Sequence, residues 1–422
     1  MTHLNTTKTI LILLAVGSLF TDSASFTLDD GLNAKKLTAG ITPAQCPSSF
    51  ALNLVPSGYP FETHTTTTGD GYILNIFRLQ SKGSIQTGKP VVLLQHGLNS
   101  DGLMWLINGE QNGLAFILAK AGFDVWIANG RGTRFSRRHI KYQPTQKAYW
   151  EFSWDEFASY DIPAEITLIR QVTGVQKLSY IGYSLGAAQM FAALSDTKIR
   201  PKVAPYIKQF HALAPVVYKD QTHYPPRSGL KDILRVIKEA CTDTGLNYLS
   251  IGGCVWDQNL VDYWNNLCAN PTYVCLKELV YYNYSPDFST IDNWSRYGYR
   301  VAVFNSGNSE NTLKHLAQTV EAQLKNPEAF PKYDYGPAGN LKKYGTKTVP
   351  NYDLSLVLEK VRMWVGLGDT RAIPAEVQHI QRSAKNADIS TIEIPGWGHE
   401  TFHLAASNKK EYGQLVNILK ED

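Results

Sequence analysis

The amino-acid sequence predicts an α/β fold, with a mostly parallel central sheet covered by helices and interrupted once by an inserted, mainly helical cap or lid. Strand-like and helix-like segments alternate after residue 45, the pattern of βα units. Several strand-like segments are apolar along nearly their whole length, as strands buried on both faces must be. From about 216 to 350 the character changes, and core pattern then resumes. With 43% hydrophobic and 18% charged residues among 422, the chain can bury one large core plus such an insertion, which excludes a disordered or fibrous protein.

Taken in order, residues 1–25 read as an export signal: Lys8, a short apolar run over 10–20, then the small residues Ser23, Ala24 and Ser25. That run is too short to span a bilayer, which takes about 20 residues, and no later stretch is apolar enough. A soluble mature chain, secreted or lysosomal, is therefore expected. A polar extension fills 26–45. The first part of the core, 46–215, holds strands expected at 72–79, 90–95, 124–128 and 178–182, with helical patterns at 114–121 and 160–173; 65–68 is a short polar run. The cap, 216–350, is rich in aromatics and carries the glycosylation acceptors Asn283 and Asn293, each in an Asn-X-Ser sequon. The second part of the core, 351–422, holds strands expected at 361–368 and 389–394.

Cysteine usage fits an oxidising compartment. Cys241, Cys254, Cys268 and Cys275 crowd into the cap and allow three pairings; Cys46 is either a free thiol or displaces one of the four. No CxxC pair or His cluster favours a metal. The net charge of +4, from 41 basic against 37 acidic residues, is spread along the chain rather than gathered into runs, so a nucleic-acid partner is not expected.

The sharpest motif is Gly182-Tyr183-Ser184-Leu185-Gly186, directly after one expected strand and directly before a small-residue helix. A bare GxSxG arises by chance in roughly one chain of this length in ten; its strand-to-helix setting makes it a nucleophile elbow, the mark of the α/β-hydrolase fold. A serine hydroxyl needs a base and an orienting acid. In this fold they follow in the order Ser, Asp or Glu, His. Asp369 follows the strand 361–368, and His399 follows the strand 389–394, so both stand where open α/β sheets place their sites. A lone Asp after Gly is more commonly a turn residue, but its place in this order makes Asp369 the candidate acid. His403 competes with His399 and otherwise packs against the core. The backbone N–H of Leu185 is one candidate oxyanion donor, and that of Leu98, in the turn His96-Gly97-Leu98-Asn99-Ser100, is the other. His96 precedes the nucleophile and is expected to orient that loop.

Beyond the elbow, the chain resembles the acid lipases, the family of gastric and lysosomal acid lipases and related sterol esterases, from about Cys46 to the C-terminus. The resemblance is carried by Gly58-Tyr59-Pro60, Asp70-Gly71-Tyr72-Ile73-Leu74, Leu94-Gln95-His96-Gly97-Leu98, Gly122-Phe123-Asp124-Val125-Trp126, Ser136-Arg137-Arg138-His139, the stretch WEFSWDEFASYDIPA over 150–164, and in the cap 311–318 and Asp334-Tyr335-Gly336. It implies Ser184 as nucleophile, Asp369 as acid, His399 as base, and Leu98 and Leu185 as oxyanion donors. Where lipases of the family usually show His and Gln, this chain has Tyr183 and Leu185, and it also departs at 281–299 and 305–309. The family's charged cluster, here Arg131, Arg134, Arg137 and Arg138 with Asp155, Glu156 and Asp161, reads as a structural network.

The expected function is a serine carboxylic ester hydrolase acting on triacylglycerol or steryl esters through an acyl-enzyme on Ser184. No cofactor or metal is required, and the partner is a lipid ester, met at a lipid–water interface. The alternatives are a hydrolase or acyltransferase for short or non-lipid esters, and a lipid-binding protein without chemistry.

Overall fold

A computed structural model describes residues 45–218, 248–249, 262, 291–303 and 306–421. The export signal, most of the extension, Cys241, Cys254, Cys268, Cys275 and Asn283 lie outside the described residues. The strands are β1 (Phe61–Thr67), β2 (Tyr72–Leu79), β3 (Val91–Gln95), β4 (Asp124–Ile127), β5 (Arg138–His139), β6 (Leu178–Tyr183), β7 (Ile207–Leu213), β8 (Tyr248–Leu249), β9 (Asn308–Ser309), β10 (Lys360–Gly366) and β11 (Asp388–Ile394). The main sheet has nine strands in the order β1-β2-β4-β3-β6-β7-β10-β11, with β5 paired to β2, while β8 and β9 form a separate pair. From β4 through β11 every pairing is parallel; β1 and β2 are antiparallel additions at one edge. The fold is therefore the expected α/β-hydrolase arrangement.

The apolar strands are buried on both faces because successive side chains point to opposite sides. In β3, Val91 and Leu93 join one core while Val92 and Leu94 join the other. In β6, Tyr180 and Ile181 divide in the same way, as do Met363 and Trp364 in β10. Helices Ile162–Thr173 and Leu185–Leu194 cover the first face through Ile166, Ile169 and Phe191. Helices Leu114–Lys120 and Lys409–Lys420 cover the second through Phe116, Leu118, Leu415 and Leu419.

Several expectations shift, each for a local reason. The polar run at 65–68 lies largely in β1, whose alternate residues face solvent at the sheet edge. The helix expected from 160 begins its first turn at Trp154, because Ser153 and Glu156 form a capping box: Asp155 N–H donates to Ser153 Oγ at 3.1 Å, and Ser153 N–H donates to Glu156 Oε2 at 2.8 Å. A wider turn over Phe157–Asp161 joins it to Ile162–Thr173. β7 interrupts its apolar pattern with Gln209 and His211, both fully buried. Trp364 Nε1–H donates to His211 Nδ1 at 3.1 Å, and His211 Nε2 meets Gln209 Oε1 at 2.9 Å, so these polar groups are satisfied inside the sheet. Cys46 is disulfide-bonded, which removes the free-thiol alternative.

The charged cluster separates into distinct networks. Arg131, fully buried, holds Asp161 and Asp70, each at 2.6 Å, with its guanidinium 4.1 Å above the Tyr72 ring. Arg134 instead holds Asp101 at 2.8 Å. Glu156 meets Lys343 at 3.1 Å, and Asp155 accepts Tyr333 N–H at 2.8 Å and Tyr352 O–H at 2.6 Å. These pairs join loops and helices that are distant in sequence, and none of them includes Ser184, Asp369 or His399.

Candidate active site

Because β6 ends at Tyr183 and a helix begins at Leu185, Ser184 is the single residue at the turn between them, with φ 54° and ψ −117°. A non-glycine residue held there costs about 1–3 kcal/mol, which surrounding bonds must hold in place. Ser184 N–H donates to Leu213 O of β7 at 2.9 Å, and Ser184 O accepts from Ala187 N–H at 3.1 Å. Both flanking glycines are required by space. A Cβ on Gly182 would stand 2.7 Å from Gly186 O, and one on Gly186 would stand 2.5 Å from His96 O.

The base and acid come from neighbouring parallel strands. Asp369 lies in the turn after β10, and His399 in the loop after β11. His399 Nε2 is 3.0 Å from Ser184 Oγ, and His399 Nδ1 is 2.8 Å from Asp369 Oδ2. Asp369 Oδ1 accepts the N–H groups of Arg371 at 2.7 Å and Ala372 at 3.0 Å. Burial alone would raise the Asp369 carboxyl, but His399 and these two amides outweigh it and hold the group below its ordinary range. An ionised carboxylate only accepts, so the proton of a neutral His399 sits on Nδ1 and Nε2 is left to accept from Ser184.

The turn after β3 packs against the same elbow. His96 Nε2 accepts Gly130 N–H at 3.0 Å, which puts the imidazole proton on Nδ1, bonded to Gly97 O at 2.8 Å. Burial lowers the His96 pKa and keeps the ring neutral. The expected loop-orienting role of His96 thus has its bonds. Asp101, held by Arg134, caps the next turn through Leu103 N–H at 2.9 Å. Among the described residues, the N–H groups of Leu98 and Leu185 bond to no carbonyl.

The structure thus brings Ser184, His399 and Asp369 into one hydrogen-bonded chain at the C-terminal edge of the sheet, with Leu98 and Leu185 on the two segments flanking the nucleophile. His403 takes another place: its Nε2 meets Glu400 Oε2 at 2.8 Å, and that oxygen also accepts from Arg300 Nε at 2.9 Å. Asn293 is half-buried, donating from Nδ2 to Asn108 Oδ1 at 3.0 Å. Sequence reasoning did not find Asp70 and Asp101, the partners of Arg131 and Arg134, because ion pairs between segments distant in sequence leave no local spacing. Among the described residues, no group of three or more His, Cys, Asp or Glu side chains is gathered as a metal site, and no helix is long and apolar enough to cross a membrane.

Comparison with known proteins gives the family and the fold. Residues 54–109 match the family described as a partial alpha/beta-hydrolase lipase region, and residues 90–224 match the alpha/beta hydrolase fold. The chain is 35% identical over 379 residues to the gastric triacylglycerol lipase of Mus musculus, covering 86% of this chain and 90% of that lipase. It is 33% identical to the gastric triacylglycerol lipase of Homo sapiens, covering 86% and 89%, and 32% identical to lipase member K of Mus musculus, with the same coverages. Among solved structures, a hypothetical protein of Pseudomonas aeruginosa superposes with a TM-score of 0.51 at 12% identity, covering 87% of this chain and 95% of that one, a likeness of fold alone.

Proposed function

Since the chain belongs to the α/β-hydrolase lipase family that includes the gastric triacylglycerol lipases, we propose that it is a carboxylic ester hydrolase of lipid esters with Ser184 as its nucleophile. The observation that carries the reading is the continuous relay from Ser184 Oγ through His399 to Asp369, at 3.0 and 2.8 Å. His399 Nε2 takes the Ser184 proton as Oγ attacks the ester carbonyl. The negative charge that develops on the carbonyl oxygen is held by the Leu98 and Leu185 amides, which among the described residues bond to no carbonyl. Collapse of this intermediate expels the alcohol with the proton from His399 and leaves an acyl-serine. Water, deprotonated by the same nitrogen, then releases the fatty acid. Triacylglycerol or steryl ester, met at a lipid–water interface, is the proposed substrate.

In the same reading, 216–350 is a cap set between two parts of one core, 46–215 and 351–422. It is supported by β7 and β10 lying side by side in the sheet although the whole segment between Leu213 and Lys360 separates them in sequence. An oxidising destination, secreted or lysosomal, is supported by the disulfide at Cys46.

The test is covalent labelling with an organophosphonate, read by peptide mass, together with turnover of emulsified triacylglycerol, emulsified cholesteryl ester and short soluble esters. Labelling confined to Ser184, with long-chain turnover lost in Ser184→Ala, is the expected result. No labelling of the folded chain overturns the mechanism; turnover of short esters alone overturns the lipid substrate.

A further inference from the structure

Tyr183 stands beside the nucleophile, yet neither its hydroxyl nor its ring has a part in the acyl transfer just described. It is buried at the end of β6, and its O–H donates to the backbone carbonyl of His399 at 3.0 Å. Its ring lies 5.0 Å from the His399 ring, 5.4 Å from that of His403, and edge-on to Trp105 at 6.5 Å. On its other side the ring presses on the turn that carries the Leu98 amide: a Cβ placed on Gly97 would stand 2.9 Å from Tyr183 Cδ1 and 3.2 Å from Ser184 Cβ. One side chain therefore touches the base loop and the oxyanion turn, and belongs to the residue directly before the nucleophile. Burial, with Glu400 and Asp369 nearby, pushes the phenol well above its ordinary range, so the O–H donor persists.

We propose that Tyr183 is a positioning residue: its hydroxyl fixes the backbone of His399, and its ring sets the spacing between the His399 loop and the Gly97 turn, so that Nε2 and the Leu98 amide face one reacting ester together. The inference rests on the hydrolase reading above for its catalytic consequence. The physical cause is alignment: a nucleophile and base misplaced by a fraction of an ångström lose rate without losing substrate binding.

The experiment uses the purified full chain with Tyr183→Phe, which removes only the donor, and Tyr183→Leu, which also removes the ring. Hydrolysis of a short p-nitrophenyl ester and the phosphonylation rate of Ser184 are measured beside the melting temperature. Tyr183→Phe is expected to lower kcat about tenfold, and Tyr183→Leu on the order of a hundredfold, with KM unchanged and the chain still folded at assay temperature. Wild-type kcat in Tyr183→Phe, or losses that appear only where the melting temperature has collapsed, overturns the proposal. If the wild-type chain hydrolyses no ester, the hydrolase reading fails and the positioning claim is read directly from the low-field Nδ1–H resonance of His399, assigned by its loss in His399→Ala. Broadening of that resonance in Tyr183→Phe supports the claim, and an unchanged resonance overturns it.

Discussion

Replacing Asp369 by Asn tests whether the relay works through proton placement rather than proximity. In the native site, Oδ1 is held by two backbone amides, Arg371 N–H at 2.7 Å and Ala372 N–H at 3.0 Å, while Oδ2 faces His399 Nδ1 at 2.8 Å. An Asn side chain must keep its oxygen toward the two amides, because its NH₂ would set donor against donor. Its NH₂ then faces His399 Nδ1, which has to become an acceptor, and the imidazole proton moves to Nε2. Nε2 now points an N–H at Ser184 Oγ from 3.0 Å and accepts no proton. A base locked in the wrong tautomer lowers kcat by about 10⁴ in a Ser-His-Asp triad, equivalent to about 5.4 kcal/mol at about 1.36 kcal/mol per tenfold. The Leu98 and Leu185 amides remain, so the residual rate should still exceed that of water by about 10³–10⁴. The assay is kcat/KM on a short p-nitrophenyl ester, with the phosphonylation rate of Ser184 as a second measure and the melting temperature as a check on folding. A folded Asp369→Asn chain within tenfold of wild type would refute the argument.

The remaining expectations concern the frame around the site. Arg131→Met strips the cation from fully buried Asp161 and largely buried Asp70, and should cost about 3–5 kcal/mol in urea unfolding; a loss under about 1 kcal/mol shows that these carboxylates do not need the guanidinium. Burial pushes Asp292 up to about 7, with the charge of Glu400 adding to it against Thr401 and Arg300. A raised acid contributes stability that is complete below its unfolded value and lost as pH rises through its folded one. Wild type should therefore lose up to about 4 kcal/mol between pH 4 and pH 8 that Asp292→Asn does not lose, and parallel stability curves for the two chains count against it. Gly186→Ala drives a methyl to 2.5 Å from His96 O and should slow phosphonylation of Ser184 about a hundredfold. Gly413→Ala, in helix Lys409–Lys420 with open space at its Cβ, should instead gain about 0.5–1 kcal/mol and leave that rate alone.

What was legible in the sequence, and what was not, follows from how far apart the causes lie along the chain. Ser184 was legible because everything that makes it an elbow is local: an apolar strand, two glycines, and a helix of small residues, all within β6 and Leu185–Leu194. Asp369 and His399 were legible only through order, since their strands are local patterns but their meeting requires β10 and β11 to lie parallel beside β7, in turn beside β6. β7 escaped because Gln209 and His211 break its apolar run, and the partner that makes His211 acceptable, Trp364, is on another strand. The start of the helix at Trp154 had its signal, Ser153 three residues before Glu156, which hydrophobic periodicity does not weigh. Tyr183 is the instructive case. Sequence marked it as a departure from the family's usual His, and no spacing rule connects a strand-end tyrosine to a carbonyl in the His399 loop or to the missing side chain of Gly97. Yet the two are one fact: a ring larger than histidine fits beside Ser184 because position 97 has no Cβ, and that same ring carries the hydroxyl far enough to reach His399 O. A Gly97→Ala change should therefore cost far less in a Tyr183→Leu background than in wild type. Coupling of this kind, measured as the difference between the single and double variants in the phosphonylation rate, is how two residues in contact reveal that they act through one geometry.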